Sequence, residues 1–244
     1  MSQRYFIRLA FDGTAYHGWQ IQPNGDSVQE RLQRALSTLL RHPIEVVGAG
    51  RTDAGVHASD MVAHFEDDTA FDPKQLAYKL NRLLPPDITV YDVYPVAADM
   101  HARFSATRRT YHYHIHLRKD PFRRHYSCEM HYPLDFPLMN AAAQQLLSVS
   151  DFGAFCKSHS DAKTTLCNVT EAQWLQDADD AWHFRITANR FLRNMVRAVV
   201  GTLIEVGRHR ITLDEFAQII AGGNRSDAGE SMPGHALFLV EVAY

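Results

Sequence analysis

A short glycine-rich run places a carboxylate beside an arginine where both could meet a flat ligand. The run 48–58 reads GAGRTDAGVHA, holds Arg51 and Asp53, and follows an apolar, strand-like stretch at 44–47. Glycine permits close backbone approach and positive φ, so such a turn can present side chains to a partner. The pattern indicates a reactive carboxylate at Asp53. On residue type alone, the alternative is that Asp53 caps the next segment or accepts turn hydrogen bonds.

A second charged residue lies in an apolar stretch late in the chain. The pattern predicts a helix from about 190 to 206, closed by Gly207, with Arg193 and Arg197 four residues apart on one face. Arg197 has apolar neighbours on both sides, and an arginine in such surroundings needs an anion. A phosphate, a carboxylate such as Asp53, and a purely structural ion pair all stay open.

Arginines supply most of the positive charge and gather in one segment. The net charge of -3 argues against binding polyanions by overall attraction, but 20 of the 25 cationic residues are arginines, which suit phosphate and stack on bases. Acids gather elsewhere, at 66–68 and 177–180. This segregation predicts a basic cleft for nucleic acid, with a solvated charged face as the alternative. The clustered cations are Arg103, Arg108, Arg109, Arg118, Lys119, Arg123 and Arg124.

Length and composition are typical of a globular protein with a sizeable core. The chain has 244 residues, of which 45% are hydrophobic and 22% charged. No apolar run approaches the roughly 20 residues that span a bilayer, so we expect no membrane partner and a cytoplasmic location. The three cysteines lack C-x-x-C spacing, so we expect buried thiols and neither a disulfide framework nor a structural zinc site.

Hydrophobic periodicity predicts strands and helices in alternation. Residues 5–11 alternate like a half-buried strand, Ser27 and Glu30 form a capping box before a helix, and another helix starts at Asp72 and stops before Pro85. The remaining expectations are strands near 44–50, 61–66, 88–94 and 111–117, a helix near 137–148, a hairpin of 165–176 with 181–188, a short helix boxed by Thr212 and Glu215, and a final strand over 236–242.

The second half of the chain repeats the layout of the first. This predicts an α+β fold in which two similar α/β halves share a mixed, mainly antiparallel central sheet flanked by helices. The predicted halves are 1–105, which carries the Asp53 run, and 106–244, which carries Tyr111 and Arg197.

Five motifs are spread along the chain from end to end, at 11–20, 50–58, 103–107, 111–115 and 191–197. In order and spacing they resemble the motifs of the bacterial tRNA pseudouridine synthase A (TruA) family. Segments 150–155 and 231–237 depart from the commoner family forms, and we expect both to lie near the site.

The resemblance implies an isomerase that converts uridine to pseudouridine at positions 38, 39 and 40 of the tRNA anticodon stem and loop. It implies base flipping, no cofactor, no metal, and a homodimer with tRNA lying across both subunits. Asp53 would be the nucleophile, at the ribose C1′ or at C6 of the base. Tyr111 would stack on the target base, and Arg197 would pair with Asp53. The other expected substrate contacts are Arg51, which would fill the space left by the flipped base, Arg103, Arg108 and His57.

Two other functions stay open at this point. His112, His114 and His116 alternate along one strand and so share a face, as in some catalytic zinc sites; this would suit a metal-dependent hydrolase, although no H-E-x-x-H motif occurs. A non-catalytic RNA-binding module would keep the basic cleft without the chemistry. For Tyr111, a core tyrosine is the alternative to base stacking.

Overall fold

The computed structural model describes residues 2–23, 25–157 and 163–244. The chain divides into two compact units, Met1–Thr107 together with Leu239–Tyr244, and Arg108–Phe238. The strands are β1 (Gln3–Phe11), β2 (Val47–Gly48), β3 (His57–Asp67), β4 (Ile88–Val96), β5 (Arg108–His116), β6 (Cys128–Glu129), β7 (Val169–Ala178), β8 (Ala181–Ala188) and β9 (Leu237–Ala243). The helices are α1 (Val28–Leu40), α2 (Pro73–Leu83), α3 (Phe136–Gln145), α4 (Met195–Gly207) and α5 (Leu213–Gly222).

The first unit is an antiparallel sheet with two helices. β1 lies between β3 and β4, with Ile7 opposite Ala63 on one side and Val93 on the other, and β2 also pairs with β3. α2 contacts β4, and α1 contacts α2. β9 pairs with β3, and its residues from Leu239 onward belong to this unit.

The alternation predicted over residues 5–11 is confirmed, with one addition. Ile7 and Leu9 are buried while Arg8 is exposed, as expected of a half-buried strand. Phe6 points to the opposite face and is also buried, because its ring packs 5.0 Å from that of Tyr244. Both faces of β1 are therefore covered at this point.

Within its described residues, the second unit contains strands β5 to β8 and three helices. β8 lies between β5 and β7 in antiparallel register, and β6 runs parallel to β5. α3 contacts β7, α4 contacts β5, and α3 and α4 contact each other. α4 is buried over most of its length, with Val199 and Leu203 at 0% exposure. The predicted α+β class, with mixed and mainly antiparallel strand pairing flanked by helices, is confirmed.

Side-chain caps start the helices where the sequence predicted them. The Ser27 hydroxyl accepts the Glu30 N–H at 3.3 Å, and the Asp72 carboxylate accepts the Lys74 N–H at 3.0 Å. Thr212 and Glu215 cap α5 in both directions. None of the helices in the described ranges is long and apolar enough to cross a membrane.

The start of α4 differs from the prediction. The helix begins at Met195, not near residue 190, because Asn194 has a left-handed backbone with φ of 67°. Arg193 therefore lies before the helix and is exposed, so it does not share a helical face with Arg197. Cys156 and Cys167 are buried free thiols as expected, whereas Cys128 is only half-buried.

Candidate active site

Asp53 lies in the loop between β2 and β3 and is half-buried. Its carbonyl accepts the Val56 N–H at 3.2 Å, which closes a turn in which Gly55 has φ of 73°. The Gly55 N–H in turn donates to the carbonyl of Tyr16 at 3.2 Å. Hydrogen bonds of the main chain thus fix the path of the loop around the carboxylate.

The segment 16–19 supports this loop from the side through a close backbone approach. Gly18 has φ of 91°, and a Cβ built there would lie 2.1 Å from the Thr52 carbonyl oxygen. The Trp19 N–H donates to that same oxygen at 3.4 Å. Only glycine fits at position 18, since any side chain would push the loop away next to Asp53.

Arg51 stands two residues before Asp53 and is exposed. Among the residues that the structure describes, it has no hydrogen bond or ion pair, so its guanidinium does not hold the loop together. An arginine that plays no part in the fold is available to an external anion or base.

His57 opens β3, and its ring is 1% exposed. Its Nδ1 accepts the Gly13 N–H at 2.9 Å. The Asp12 carboxylate lies 3.1 Å from the same nitrogen. The structure thus places His57 inside the unit, where it ties the Asp53 loop to the segment after β1.

Arg103 lies in a turn after β4 and forms a pair with an exposed aromatic ring. Its guanidinium carbon sits 5.6 Å from the centroid of Phe104, whose side chain is 76% exposed. The N–H groups of both residues donate to Nδ1 of His101, at 3.1 and 3.2 Å, which holds the turn in place. Arg103 was predicted among the clustered cations, whereas Phe104 was given no role, although an aromatic residue directly after an arginine was a signal for it.

In the second unit, β5 carries two of the predicted residues. Arg108 is exposed at the first position of the strand. Tyr111 is 9% exposed and meets Phe191 edge to face, with the ring centroids 5.0 Å apart at 85°. Phe191 belongs to the segment leading into α4, so the structure brings Tyr111 to the same neighbourhood as the start of that helix.

Arg197 occupies the first turn of α4 and is half-buried. Its Nε donates to the carbonyl of Met232 at 2.5 Å, and the Met232 N–H donates back to the Arg197 carbonyl at 3.1 Å. This reciprocal pair restricts the directions open to the guanidinium, because its Nε is held by the Met232 carbonyl.

Met232 belongs to segment 231–237, which the family resemblance placed near the site, although no contact with Arg197 was predicted. A Cβ at Gly201 of α4 would lie 1.8 Å from the carbonyl oxygen of Glu230. The segment around Glu230 and Met232 can therefore pack closely against α4 only because residue 201 is glycine. The Pro233 carbonyl accepts the Tyr113 hydroxyl at 3.0 Å. The available signals were a glycine inside a strongly apolar helix and the departure of 231–237 from the commoner family form.

Of the three histidines of the alternative metal site, His116 has different contacts from His112 and His114, whose ring centroids are 6.0 Å apart. His116 is 1% exposed and bonds through Nδ1 to the Ser127 hydroxyl at 2.9 Å. His112 stacks on His183, with ring centroids 4.5 Å apart, and burial lowers its pKa to about 4. Within the described ranges, the one group with metal-ligand spacing joins His114 to Asp177 and His183 and includes neither His112 nor His116. The trio expected for a hydrolase is therefore not assembled.

Comparison with known proteins gives a consistent match. The family model described as tRNA pseudouridine synthase matches residues 8–105 and 142–244. The chain is 58% identical over 243 residues to the tRNA pseudouridine synthase A of Bacteroides fragilis, covering 99% of this chain and 96% of that protein. It is 57% identical to the protein of that name from Bacteroides thetaiotaomicron, covering 99% and 91%. The protein of that name from Acetivibrio thermocellus is 41% identical and covers 97% of both chains.

Among solved structures, the crystal structure of an unknown protein from Galdieria sulphuraria aligns with a TM-score of 0.28 and 14% identity. It covers 86% of this chain and 94% of that chain. A likeness this low carries no argument about fold or function.

Proposed function

This chain belongs to the tRNA pseudouridine synthase family, and from that premise we propose that it converts uridine to pseudouridine at positions 38, 39 and 40 of the tRNA anticodon stem and loop. The observation that carries the proposal is the agreement with relatives of that name over 99% of the chain. The stretch 8–105, matched by the family model, contains the whole Asp53 loop.

In this proposal Asp53 is the nucleophile. For attack at C1′, its carboxylate forms a bond to the ribose carbon while the C1′–N1 bond breaks and the electron pair stays on N1 of uracil. The detached uracil turns, C5 attacks C1′, and the carboxylate leaves. The proton lost from C5 and the one gained at N1 balance, so the product is an isomer and no cofactor is consumed. Attack at C6 of the base is the alternative order of bond making.

Arg197 acts as the cation that keeps the nucleophile ionised. When bound RNA excludes water, burial favours a protonated carboxylate, and an opposite charge at close range restores the charged form. The bond from Nε to the Met232 carbonyl supports this role, because it fixes one edge of the guanidinium at the start of α4.

Tyr111 provides an aromatic surface for the detached uracil. Stacking of a base on an aromatic ring contributes roughly 1–3 kcal/mol and does not depend on how the uracil edge is turned. A tyrosine that is mostly buried and braced by Phe191 supports such a surface, since only one part of the ring needs to meet the base.

The target base has to leave the stack before any chemistry, at a cost of a few kcal/mol. Arg51 offsets part of this cost by occupying the gap, and its exposure and lack of a described partner support that role. Arg103 and Arg108 bind phosphates of the RNA, and Phe104 adds a surface for stacking. His57 supports substrate binding by holding the loop, since its buried Nδ1 accepts the Gly13 N–H.

The proposal includes two statements about context. The enzyme acts in the cytoplasm, where its tRNA substrates are, and it acts as a homodimer that binds one tRNA across both subunits. The location follows from the sequence expectation given above and the homodimer from the family resemblance, and sedimentation of the purified protein with and without tRNA tests the second.

The decisive experiment compares the wild-type protein with Asp53→Asn on unmodified tRNA transcripts. Pseudouridine is mapped by position, on transcripts in which the uridines at 38, 39 and 40 are replaced one at a time. We expect conversion at each of these uridines by the wild type. For Asp53→Asn we expect a rate at least about 10³-fold lower, because the nucleophile is gone. tRNA binding should be retained.

Asp60→Asn is the matched control in the same unit. Asp60 is a carboxylate on β3 bound to Arg8, with no place in the proposed chemistry, so this variant should keep its activity. Normal conversion by Asp53→Asn would refute the catalytic assignment. Binding without conversion by the wild type would instead favour an RNA-binding module.

A further inference from the structure

One face of the second unit gathers side chains that the proposed isomerisation does not use. His114 on β5 lies directly opposite His183 on β8 in the strand register. Nδ1 of His183 is 2.8 Å from the Asp177 carboxylate, and Nδ1 of His114 is 3.8 Å from it. The three donor atoms all lie within 4.8 Å of one another, so three neighbouring strands contribute to one small cluster.

These donor types and distances suit a transition-metal ion. Imidazole nitrogen and carboxylate oxygen are ordinary zinc ligands with bonds of about 2.0–2.2 Å. Donors around one tetrahedral ion then lie about 3.4 Å apart. The spacings of 2.8 and 3.8 Å from Asp177 bracket that value, so small side-chain rotations would bring the donors into place.

The charge balance of the cluster also favours a cation. Among the described residues, the contacts of Asp177 are with His114 and His183. Imidazole binds a metal ion through the lone pair of a ring nitrogen, and Nδ1 of each histidine lies within 3.8 Å of the Asp177 carboxylate. The nearby Arg123 is engaged by Asp120 and Asp180, each at 3.3 Å. A divalent ion would place additional positive charge beside the Asp177 carboxylate.

An opening leads to the cluster from outside. A cavity of about 390 Å³ is lined by His114 and Asp177 and walled by the aromatic side chains of Tyr126, Trp182 and Phe238. It gives an ion a route to the ligands and leaves room for water in a fourth position. His112, stacked on His183, is the nearest additional imidazole.

We propose that His114, Asp177 and His183 bind a divalent transition-metal ion such as Zn²⁺. The ion links β5, β7 and β8 and stabilises the second unit. It takes no part in the isomerisation, so the proposal stands apart from the assignment of Asp53.

The test uses full-length protein without a histidine tag, stripped of metal with a chelator. Zn²⁺ is titrated by calorimetry, and Co²⁺ is added separately to record its visible absorption, which reports ligand number and geometry. We expect one tight site per chain, a Co²⁺ spectrum of a four-coordinate site, and a higher melting temperature with Zn²⁺. His183→Ala and Asp177→Asn should each weaken Zn²⁺ binding about tenfold or more and remove the rise in melting temperature.

His131→Ala is the matched control, because His131 is an exposed histidine outside the cluster whose side chain is 75% accessible. It should bind Zn²⁺ like the wild type. Unchanged melting of metal-free His183→Ala shows that the variant folds, and Asp177→Asn provides a second variant if it does not. The proposal is overturned if wild type and both cluster variants bind Zn²⁺ equally, or if Co²⁺ gives only the spectrum of the hydrated ion. Pseudouridine formation by the metal-free enzyme is measured separately and does not enter this decision.

Discussion

The Asp53 loop of the first unit and the start of α4 in the second unit hold their charged residues in different ways. Asp53 belongs to irregular backbone, whose path is set by hydrogen bonds of neighbouring residues and by the close approach of Gly18. Arg197 belongs to a helix, and its side chain is itself bonded to the Met232 carbonyl. The position of Asp53 therefore depends on the backbone of its loop. The direction of the Arg197 side chain depends on the remote segment that carries Met232.

Asp53 and Arg197 are therefore disturbed by different kinds of substitution. A loop held by main-chain contacts tolerates exchange of exposed side chains but not a new Cβ at its point of contact. A helix keeps its shape when one contact is lost, but the direction of its arginine changes.

After the loss of Asp53 itself, the largest effect is expected from Arg197→Ala. Without the guanidinium, Asp53 would lose the cation proposed to keep it ionised, and kcat/KM should fall about 10²- to 10³-fold. tRNA binding, measured by filter retention, should change much less. Arg193→Ala is the control, since Arg193 is exposed and precedes the helix. Equal losses in the two variants would mean that both arginines merely bind RNA.

Gly18→Ala should destabilise the first unit by about 3 kcal/mol, because the strain of φ at 91° adds to the overlap with the Thr52 carbonyl. Because the overlap lies next to Asp53, kcat/KM should fall by more than the loss of folded protein alone would cause. Gly50→Ala is the matched control in the same loop, as a Cβ there meets nothing within 4 Å. Urea unfolding and steady-state kinetics of both variants measure the difference. A tolerated Gly18→Ala would show that the loop is not set by its backbone.

Gly201→Ala should lower the free energy of unfolding by less, about 2 kcal/mol, although its Cβ would lie only 1.8 Å from the Glu230 carbonyl oxygen. Alanine is a better helix former than glycine by about 1 kcal/mol, which offsets part of the clash. The segment carrying Met232 should move away, so kcat should fall as well. Gly222→Ala in α5, with open space around its Cβ, should be neutral or slightly stabilising. Matching urea midpoints for the two variants would contradict the role given to the 230–232 segment.

The smallest effect concerns pH. Burial lowers the pKa of His64 in the first unit to about 4. Between about pH 4 and 6.5 the unfolded chain binds a proton there that the folded chain does not, so stability is full above pH 6.5 and is lost as pH falls toward 4. We expect a loss of about 1–2 kcal/mol from this group.

His64→Asn should flatten that part of the pH profile. Its amide oxygen can still accept the Ala102 N–H that Nδ1 of His64 accepts at 3.1 Å, so the turn at 101–105 should remain. His125→Asn, at an exposed position, is the control. An unchanged profile in His64→Asn would assign the acid sensitivity to other groups, with His112 of the second unit first among them.

Local patterns predicted much of the fold because they act over a few residues. The caps at Ser27, Asp72 and Thr212 and the alternation along β1 depend on neighbours in the sequence, and they were found where expected. The start of α4 was placed too early, since apolar periodicity continues through residues 191–194 although Asn194 leaves the helical region. Periodicity registers which residues are apolar, not where the backbone changes direction.

By itself, the sequence determined the fold class, the family motifs and the residues that could carry chemistry. Only the tertiary structure decided what holds them: the carbonyl of Met232 on Arg197, the Gly13 N–H on His57, and the return of Leu239–Tyr244 to the first unit. It also placed Asp177 and His183 beside His114. Such contacts join backbone atoms or side chains that are far apart along the chain. No local spacing records them, because they form only when packed elements bring those segments together.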